Sequence, residues 1–349
     1  MTWKAVFSSQ TGRFAALHLF FALVMFLAAC ATTPPEKLTR FEFETPQMGA
    51  PFRIVLYARD ESVAQEAAKA AFARVSALNA IMSDYEYDSE LSRLGRTSGS
   101  GQRVKVSSEL WKVLNAAKKI SKASGGALDV TVNPYIQLWR KARRERKLPS
   151  ADALERARAR VGYTNLVLRD GTAELKIPNM RLDLGAIAKG YAADEALRIL
   201  REHGIHRAIA AASGDSAIGD APPGEKGWKV QLLNTSKEGT VFLILHNCGI
   251  ATSGDLFQFV DIDGKRYSHI VDPHTGIGLT DRSLVTIVAK DGMTADGLST
   301  AVSVLGPADG LKLARKFGAE GRVTRALEND GLLETSTANF WKNSVVVKD

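Results

Sequence analysis

Residues 257–271 read FQFVDIDGKRYSHIV, two β-prone runs divided by Asp263-Gly264. An Asp-Gly pair in that position is a hairpin signal, so strands are expected at Phe257–Ile262 and Arg266–Val271. Asp170-Gly171 divides Leu166–Ile177 in the same way. Further strands are expected at Phe52–Ala58, Ala208–Ala212, Trp228–Leu233, Val241–His246 and Ser283–Ala289. Helices alternate irregularly with them. Glu61–Ile81 carries Val63, Ala67, Ala71, Val75 and Leu78 at helical spacing. Ser107 or Ser108 can cap a second helix that closes at Gly125-Gly126, and Ser150 a third. Leu182 to Gly204 reads as a strand end, a glycine turn and a helix, and Thr294–Leu305 as a final helix. Hairpins in place of repeated βαβ units predict an α+β fold, with mixed or antiparallel sheets and flanking helices.

The 349 residues are 45% hydrophobic and 24% charged, enough for one large domain or two fused lobes. The first thirty stand apart from that core. Lys4 and Arg13 precede an uncharged apolar run, Leu19–Ala29, too short to cross a bilayer. It ends at Leu27-Ala28-Ala29-Cys30, where small residues before a cysteine resemble a bacterial lipoprotein signal. The expected division is a signal peptide at 1–29, a lipidated tether at 30–40 and a catalytic domain at 41–349. Cys30 would carry the lipid and the protein would face the periplasm. An ordinary signal peptide or a short anchor is the alternative.

Loss of Lys4 and Arg13 lowers the formal charge from +8 to +6. Much of the remainder lies in Arg140–Lys147 (RKARRERK), read as a solvated face. Without interleaved aromatics it is no nucleic-acid groove, although an acidic partner or anionic membrane surface fits it. Cys30 and Cys248 are the only cysteines, so a lipidated Cys30 leaves no intrachain disulfide. Cys248 reads as a small packed residue.

Four constellations carry chemistry. Asp296 and Thr300 lie four apart on an expected helix, so a carboxylate and a hydroxyl share one face. Both oxygens suit a hard cation such as magnesium, and a helix cap is the alternative. Leu182–Tyr191 (LDLGAIAKGY) sets Asp183 before a glycine turn and Lys189 at a helix start. Main-chain N–H groups and a cation there suit a phosphate, against a cap and a solvated lysine. His269 stands where a strand enters the turn Asp272–Gly276, after Ala251–Asp255 (ATSGD), able to bind phosphate or move a proton. Tyr85 lies in a polar loop and can stack on a planar ring or cover core.

In this order, these segments resemble the ApbE family of FAD:protein FMN transferases. The matching stretches are Met48–Phe52, Tyr85 with Ser89–Leu94, Gly126–Pro134, Asp183–Tyr191, Ala251–Asp255, His269–Gly276 and Ala295–Ala301. They span roughly residues 41 to 310. The resemblance implies an ApbE-like fold with the FAD site in a cleft between lobes. It implies FAD contacts at Met48, Tyr85, Ala127, Leu128, Asp129, Asp183, Lys189 and Ile270. It implies magnesium held by Asp296, Thr300 and the backbone carbonyl of Ala186. Three positions depart from the pattern. Ala50 stands where the family often has Thr, Gly214-Asp215 where it often has Gly-Gly, and His274 where it is usually basic.

The implied reaction is phosphoryl transfer. A threonine or serine hydroxyl of an acceptor protein attacks the FMN-side phosphorus of FAD, and AMP leaves. Lys189 would offset charge, and His269 or a nearby carboxylate would take the proton. With water as nucleophile the same site would be an FAD pyrophosphatase. With no turnover it would be a flavin-binding lipoprotein.

Overall fold

An alanine-rich stretch begins the helical layer. The computed structural model describes residues 37–233, 239–255, 258–327 and 331–347. The expected signal peptide, Cys30 and all of the tether before residue 37 lie outside the described residues, as does Phe257. Helix α1 (Glu61–Met82) starts at Asp60, whose Oδ1 accepts the Val63 N–H at 2.9 Å. Ala64, Ala67, Ala68, Ala71, Val75, Leu78 and Met82 form its buried stripe. The other helices are α2 (Glu90–Arg96), α3 (Ser108–Ala123), α4 (Asn133–Glu145), α5 (Ala151–Arg158), α6 (Ala188–Glu202) and α7 (Gly292–Lys316).

The strands follow the hairpin logic. They are β1 (Thr39–Gln47), β2 (Ala50–Ala58), β3 (Val104–Lys105), β4 (Leu166–Arg169), β5 (Thr172–Leu175), β6 (Ala208–Ala212), β7 (Asp215–Ile218) and β8 (Trp228–Gln231). Then come β9 (Thr240–Leu245), β10 (Cys248–Gly254), β11 (Phe259–Ile262), β12 (Lys265–Ser268), β13 (Ser283–Ala289), β14 (Glu320–Ala326), β15 (Leu332–Ser336) and β16 (Ser344–Val347). The main sheet runs β1-β2-β6-β7-β10-β13-β14-β15. Smaller sheets are β11-β12, β16-β9-β8 and β3-β5-β4. Every described strand pair is antiparallel, so the expected α+β class holds without a parallel component.

Both Asp-Gly hairpins form. Asp170 and Asp263 have φ of 49° and 50° and their glycines 74° and 75°, the left-handed pair that a two-residue turn requires. One expected element is absent: residues 181–184 make no strand. The Asp183 N–H donates to the Val130 carbonyl at 2.8 Å, in a loop rather than in a sheet ladder. The final helix is longer than Thr294–Leu305. Its first part stops at Gly306 (φ 74°) before Pro307, and a second helical part continues to Lys316.

Residues 39–349 form one compact unit. Helix α6 packs against α1 and α7, and α7 lies on β10 and β13. The largest buried cluster holds this layer, with Leu78, Ile187 and Leu298 fully buried. Truncating Leu298 to Ala would cost about 3 kcal/mol through lost contacts and the cavity left behind. A separate cluster gathers Tyr135, Trp139, Ala157, Ile262 and Tyr267 from α4, α5 and the β11-β12 hairpin. A third cluster holds Ile218, Trp228, Leu243 and Phe340. Among the described residues no helix is long and apolar enough to cross a membrane.

Candidate active site

The close approach of α6 and α7 builds the charged centre. A Cβ added at Gly190 would fall 2.1 Å from the Gly292 carbonyl oxygen and 2.8 Å from the Asp296 Cβ, so only glycine permits this contact. It brings the Gly190 N–H to Asp296 Oδ2 at 3.0 Å. The start of α7 is fixed by two carboxylates. Asp291 accepts the Thr294 N–H at 2.7 Å, and Asp194 from α6 accepts those of Gly292 and Met293 at 2.7 and 2.9 Å. Burial pushes the Asp194 carboxyl up to about 7.

Lys189 lies in the first turn of α6. Its ammonium donates to Asp215 Oδ2 at 2.5 Å and to the Gly185 carbonyl at 3.3 Å, and lies 3.8 Å from Asp296 Oδ2. Burial works to lower its pKa, but the charges of Asp296 and Asp215 outweigh this and hold it above the usual lysine range. Burial and then the Asp215 charge push the Asp296 carboxyl up to about 7. Asp215 opens β7 and is buried. Sequence reasoning noticed Gly214-Asp215 only as a departure from the family pattern. The available signal was an acid directly after Ser213-Gly214; the turn there, with Ser213 at φ 57°, is visible only in the structure.

These groups fit magnesium. Two carboxylates and one ammonium leave one negative charge when all are ionised. The donors it would use are hard oxygens: the Asp296 carboxylate, the Thr300 hydroxyl one turn on, and the main chain at half-buried Ala186. Among the described residues no three His, Cys, Asp or Glu side chains gather as a metal site, so one carboxylate would be the main protein ligand.

His269 ends the β11-β12 hairpin. Its Nδ1 lies 3.1 Å from the Gln258 carbonyl oxygen, which can only accept. The neutral ring therefore carries its proton on Nδ1 and leaves the Nε2 lone pair free. Burial lowers the ring's pKa, and nearby Arg143 and Lys189 add to that against the Gln258 hydrogen bond. Ile270 beside it is buried, its N–H donating to Ser268 Oγ at 3.1 Å.

The other expected FAD contacts differ in how far they are open to water. Tyr85 is 79% exposed, on the loop after α1. The Arg140 guanidinium covers one face of its ring at 4.1 Å, bonds Asp84 Oδ2 at 2.8 Å and reaches Asp183 Oδ2 at 3.5 Å. Only the tail of Arg140–Lys147 is solvated; its first residue faces the site, which corrects the reading of that run. The Asp183 carboxyl also accepts the Gly185 N–H at 2.8 Å, and burial followed by the Asp84 charge raises its pKa. Asp129 spends its side chain on the fold: Oδ1 accepts the Thr131 N–H and hydroxyl at 2.8 and 2.7 Å, and Oδ2 the Tyr163 N–H at 2.8 Å. Ala127, Leu128 and Asp129 are buried, main chain included. Met48 shares the β1–β2 turn with Gly49, at φ 52° and 74°, half-packed on the main core. Cys248 is half-buried and burial pushes its thiol up to about 11, a packed residue rather than a nucleophile.

Known proteins resemble this chain in sequence and fold. The ApbE family model matches residues 48–323. A relative from Haemophilus influenzae named FAD:protein FMN transferase is 31% identical over 75% of this chain and 79% of its own. One of the same name from Vibrio cholerae is 34% identical over 68% of this chain and 72% of its own. Among solved structures, the flavin transferase ApbE from Vibrio cholerae superposes with a TM-score of 0.80 at 28% identity, covering 88% of this chain and 100% of that one. The apo flavinyl transferase ApbE of Pseudomonas stutzeri gives 0.77 at 28% identity, over 89% of this chain and 98% of its own. The chain belongs to the ApbE family.

Proposed function

We propose that this protein transfers FMN from FAD to a threonine or serine hydroxyl of an acceptor protein, releasing AMP. The observation that carries the reading is the Lys189 ammonium held between buried Asp215 and Asp296, in a chain whose relatives bear that activity in their names. Lys189 is fixed where a pyrophosphate would meet it, and its charge is kept in full by its two carboxylate neighbours. Asp296, Thr300 and the Ala186 carbonyl would hold magnesium, which when bound neutralises phosphate charge.

The acceptor oxygen forms a bond to the FMN-side phosphorus, and the bond from that phosphorus to the AMP oxygen breaks. The hydroxyl proton goes to His269 Nε2, whose lone pair is free because Nδ1 donates to Gln258. The product is FMN joined through a phosphoester. Positioning accounts for most of the rate, since hydroxyl and water compete for one phosphorus. Tyr85 would stack on a ring of the dinucleotide, and Met48, Ala127, Leu128, Asp129, Asp183 and Ile270 would shape the pocket around it. The test is mass spectrometry of a protein presenting an exposed threonine after incubation with enzyme, FAD and magnesium. A gain of one FMN less water on that threonine, lost when it becomes alanine, is expected. Free FMN and AMP without an adduct would establish hydrolysis.

The Leu27–Cys30 signal supports a lipid anchor on Cys30 and a periplasmic location. A Cys30→Ser protein is expected to lose fatty-acid label, and label equal to wild type would reject Cys30.

A further inference from the structure

The basic run at the end of α4 enters the site through one residue, Arg140. This side chain is about one-fifth exposed, while Lys141, Arg143, Arg144, Arg146 and Lys147 are open to water. It meets three groups from two separate loops: the Tyr85 ring, Asp84 and Asp183. Asp84 is also bonded by Asn133 Nδ2 at 2.9 Å, from the first turn of the same helix. Helix α4 thus holds Asp84 Oδ2 from two positions about 10 Å apart along its axis, by the rise of about 1.5 Å per residue.

We infer that Arg140 is a positioning residue for FAD: it braces one face of Tyr85, leaves the other for the dinucleotide's flat ring, and neutralises Asp84 and Asp183. The inference rests on the proposed FAD site and goes beyond it, because Arg140 acts through Tyr85 rather than on the reacting phosphorus.

Two physical arguments support it. Among the described residues the guanidinium is the group stacked on this exposed ring, so without it ordering would fall to FAD on binding and weaken it. Asp84 and Asp183 also lie close enough for the Asp84 charge to act on Asp183. With Arg140 removed, two carboxylates would face a pyrophosphate with only Lys189 to offset them. A lysine would restore the charge but neither the flat stack nor the paired contacts to two carboxylates.

The test is direct binding of FAD to the full chain with magnesium chelated, by quenching of flavin fluorescence, with thermal melts confirming that each variant is folded. Arg140→Ala and Tyr85→Leu are each expected to weaken binding about tenfold, the scale of a partly desolvated cation–π contact. The double variant should be hardly weaker than either single one, because the two residues act as a unit. Arg140→Lys should fall between wild type and Arg140→Ala. With magnesium and acceptor restored, Arg140→Ala should raise the KM for FAD and keep kcat. If Arg140→Ala does not fold, Arg140→Lys and Asp84→Asn supply the same comparison. Wild-type affinity in Arg140→Ala with loss in Tyr85→Leu, or fully additive losses, would overturn the inference alone. Wild-type affinity in both would overturn it together with the placement of FAD at Tyr85.

Discussion

Around Lys189 two carboxylates are buried between two helices and the first residue of a strand; at Tyr85 a ring open to water is braced by Arg140 of α4 and two loop carboxylates. Asp215 and Asp296 are almost fully buried, whereas Tyr85 exposes 79% of itself. At the first end a carboxylate's pKa climbs to about 7 and a lysine stays charged because its neighbours compel it. At the second, Arg140 is as sheltered as Lys189, and it is the Tyr85 ring that water reaches. The buried end can stabilise a changing charge, since its dipoles and charges are already oriented and poorly hydrated. The exposed end can bind and release a ring. The comparison teaches that one site can divide rate from affinity by depth of burial.

That division is broken most strongly at Asp296. Asp296→Ala should lower turnover by about a thousandfold, the upper range for losing one preorganised electrostatic contact. Lys189 keeps Asp215, so the fold should survive. A magnesium titration of activity is the check, and near-normal turnover at ordinary magnesium would remove Asp296 from the site.

His269→Ala should cost about a hundredfold, the lower range for losing a general base. The sign of the pH dependence follows from its lowered pKa. Below that pKa, Nε2 is protonated and cannot accept, so activity falls as pH falls. The acid limb of kcat/KM should lie below the ordinary histidine value of about 6.5 and vanish in the variant. An unchanged limb would move the base elsewhere.

Asp215→Asn sharpens the comparison, because it removes a charge from the buried end without touching FAD. Lys189 keeps Asp296 at 3.8 Å, so a loss near tenfold in kcat, about 1.4 kcal/mol, is expected. A drop in KM affinity alone, with kcat intact, would put Asp215 in the binding role. At the solvated tail of α4, Arg144→Ala and Lys147→Ala should change FAD binding and stability by less than twofold and about 0.5 kcal/mol. A larger effect would make the tail part of the site.

The legibility of the sequence follows the same line. Lys189, Asp296 and Thr300 stand out in the sequence because they sit at a helix start or at i,i+4, and Asp183 because it precedes a glycine turn. Both Asp-Gly hairpins were legible for the same reason. Asp215 and Arg140 were not, since their roles depend on a strand meeting a helix and on a helix meeting a distant loop. Nor could the spacing show that Gly190 and Gly292 touch, although that contact sets Asp296 against Lys189. Strand β1 was overlooked because its apolar Phe41 and Phe43 alternate with Arg40, Glu42 and Glu44 on an exposed face. Helix α4 was hidden by its charge, having a strong apolar face of Tyr135, Trp139 and Ala142 beneath an arginine-rich surface. Asp129, by contrast, was read from resemblance as an FAD contact, while its carboxylate is committed to the Thr131 and Tyr163 main chain.

The most direct measurement is the ratio of AMP to adduct in a single turnover, with enzyme in excess over FAD and magnesium present, with and without an acceptor threonine. The account predicts one AMP for each FMN attached, and AMP release that slows sharply when the threonine is replaced by alanine. Equal release of AMP with and without acceptor, and no attached FMN, would contradict it.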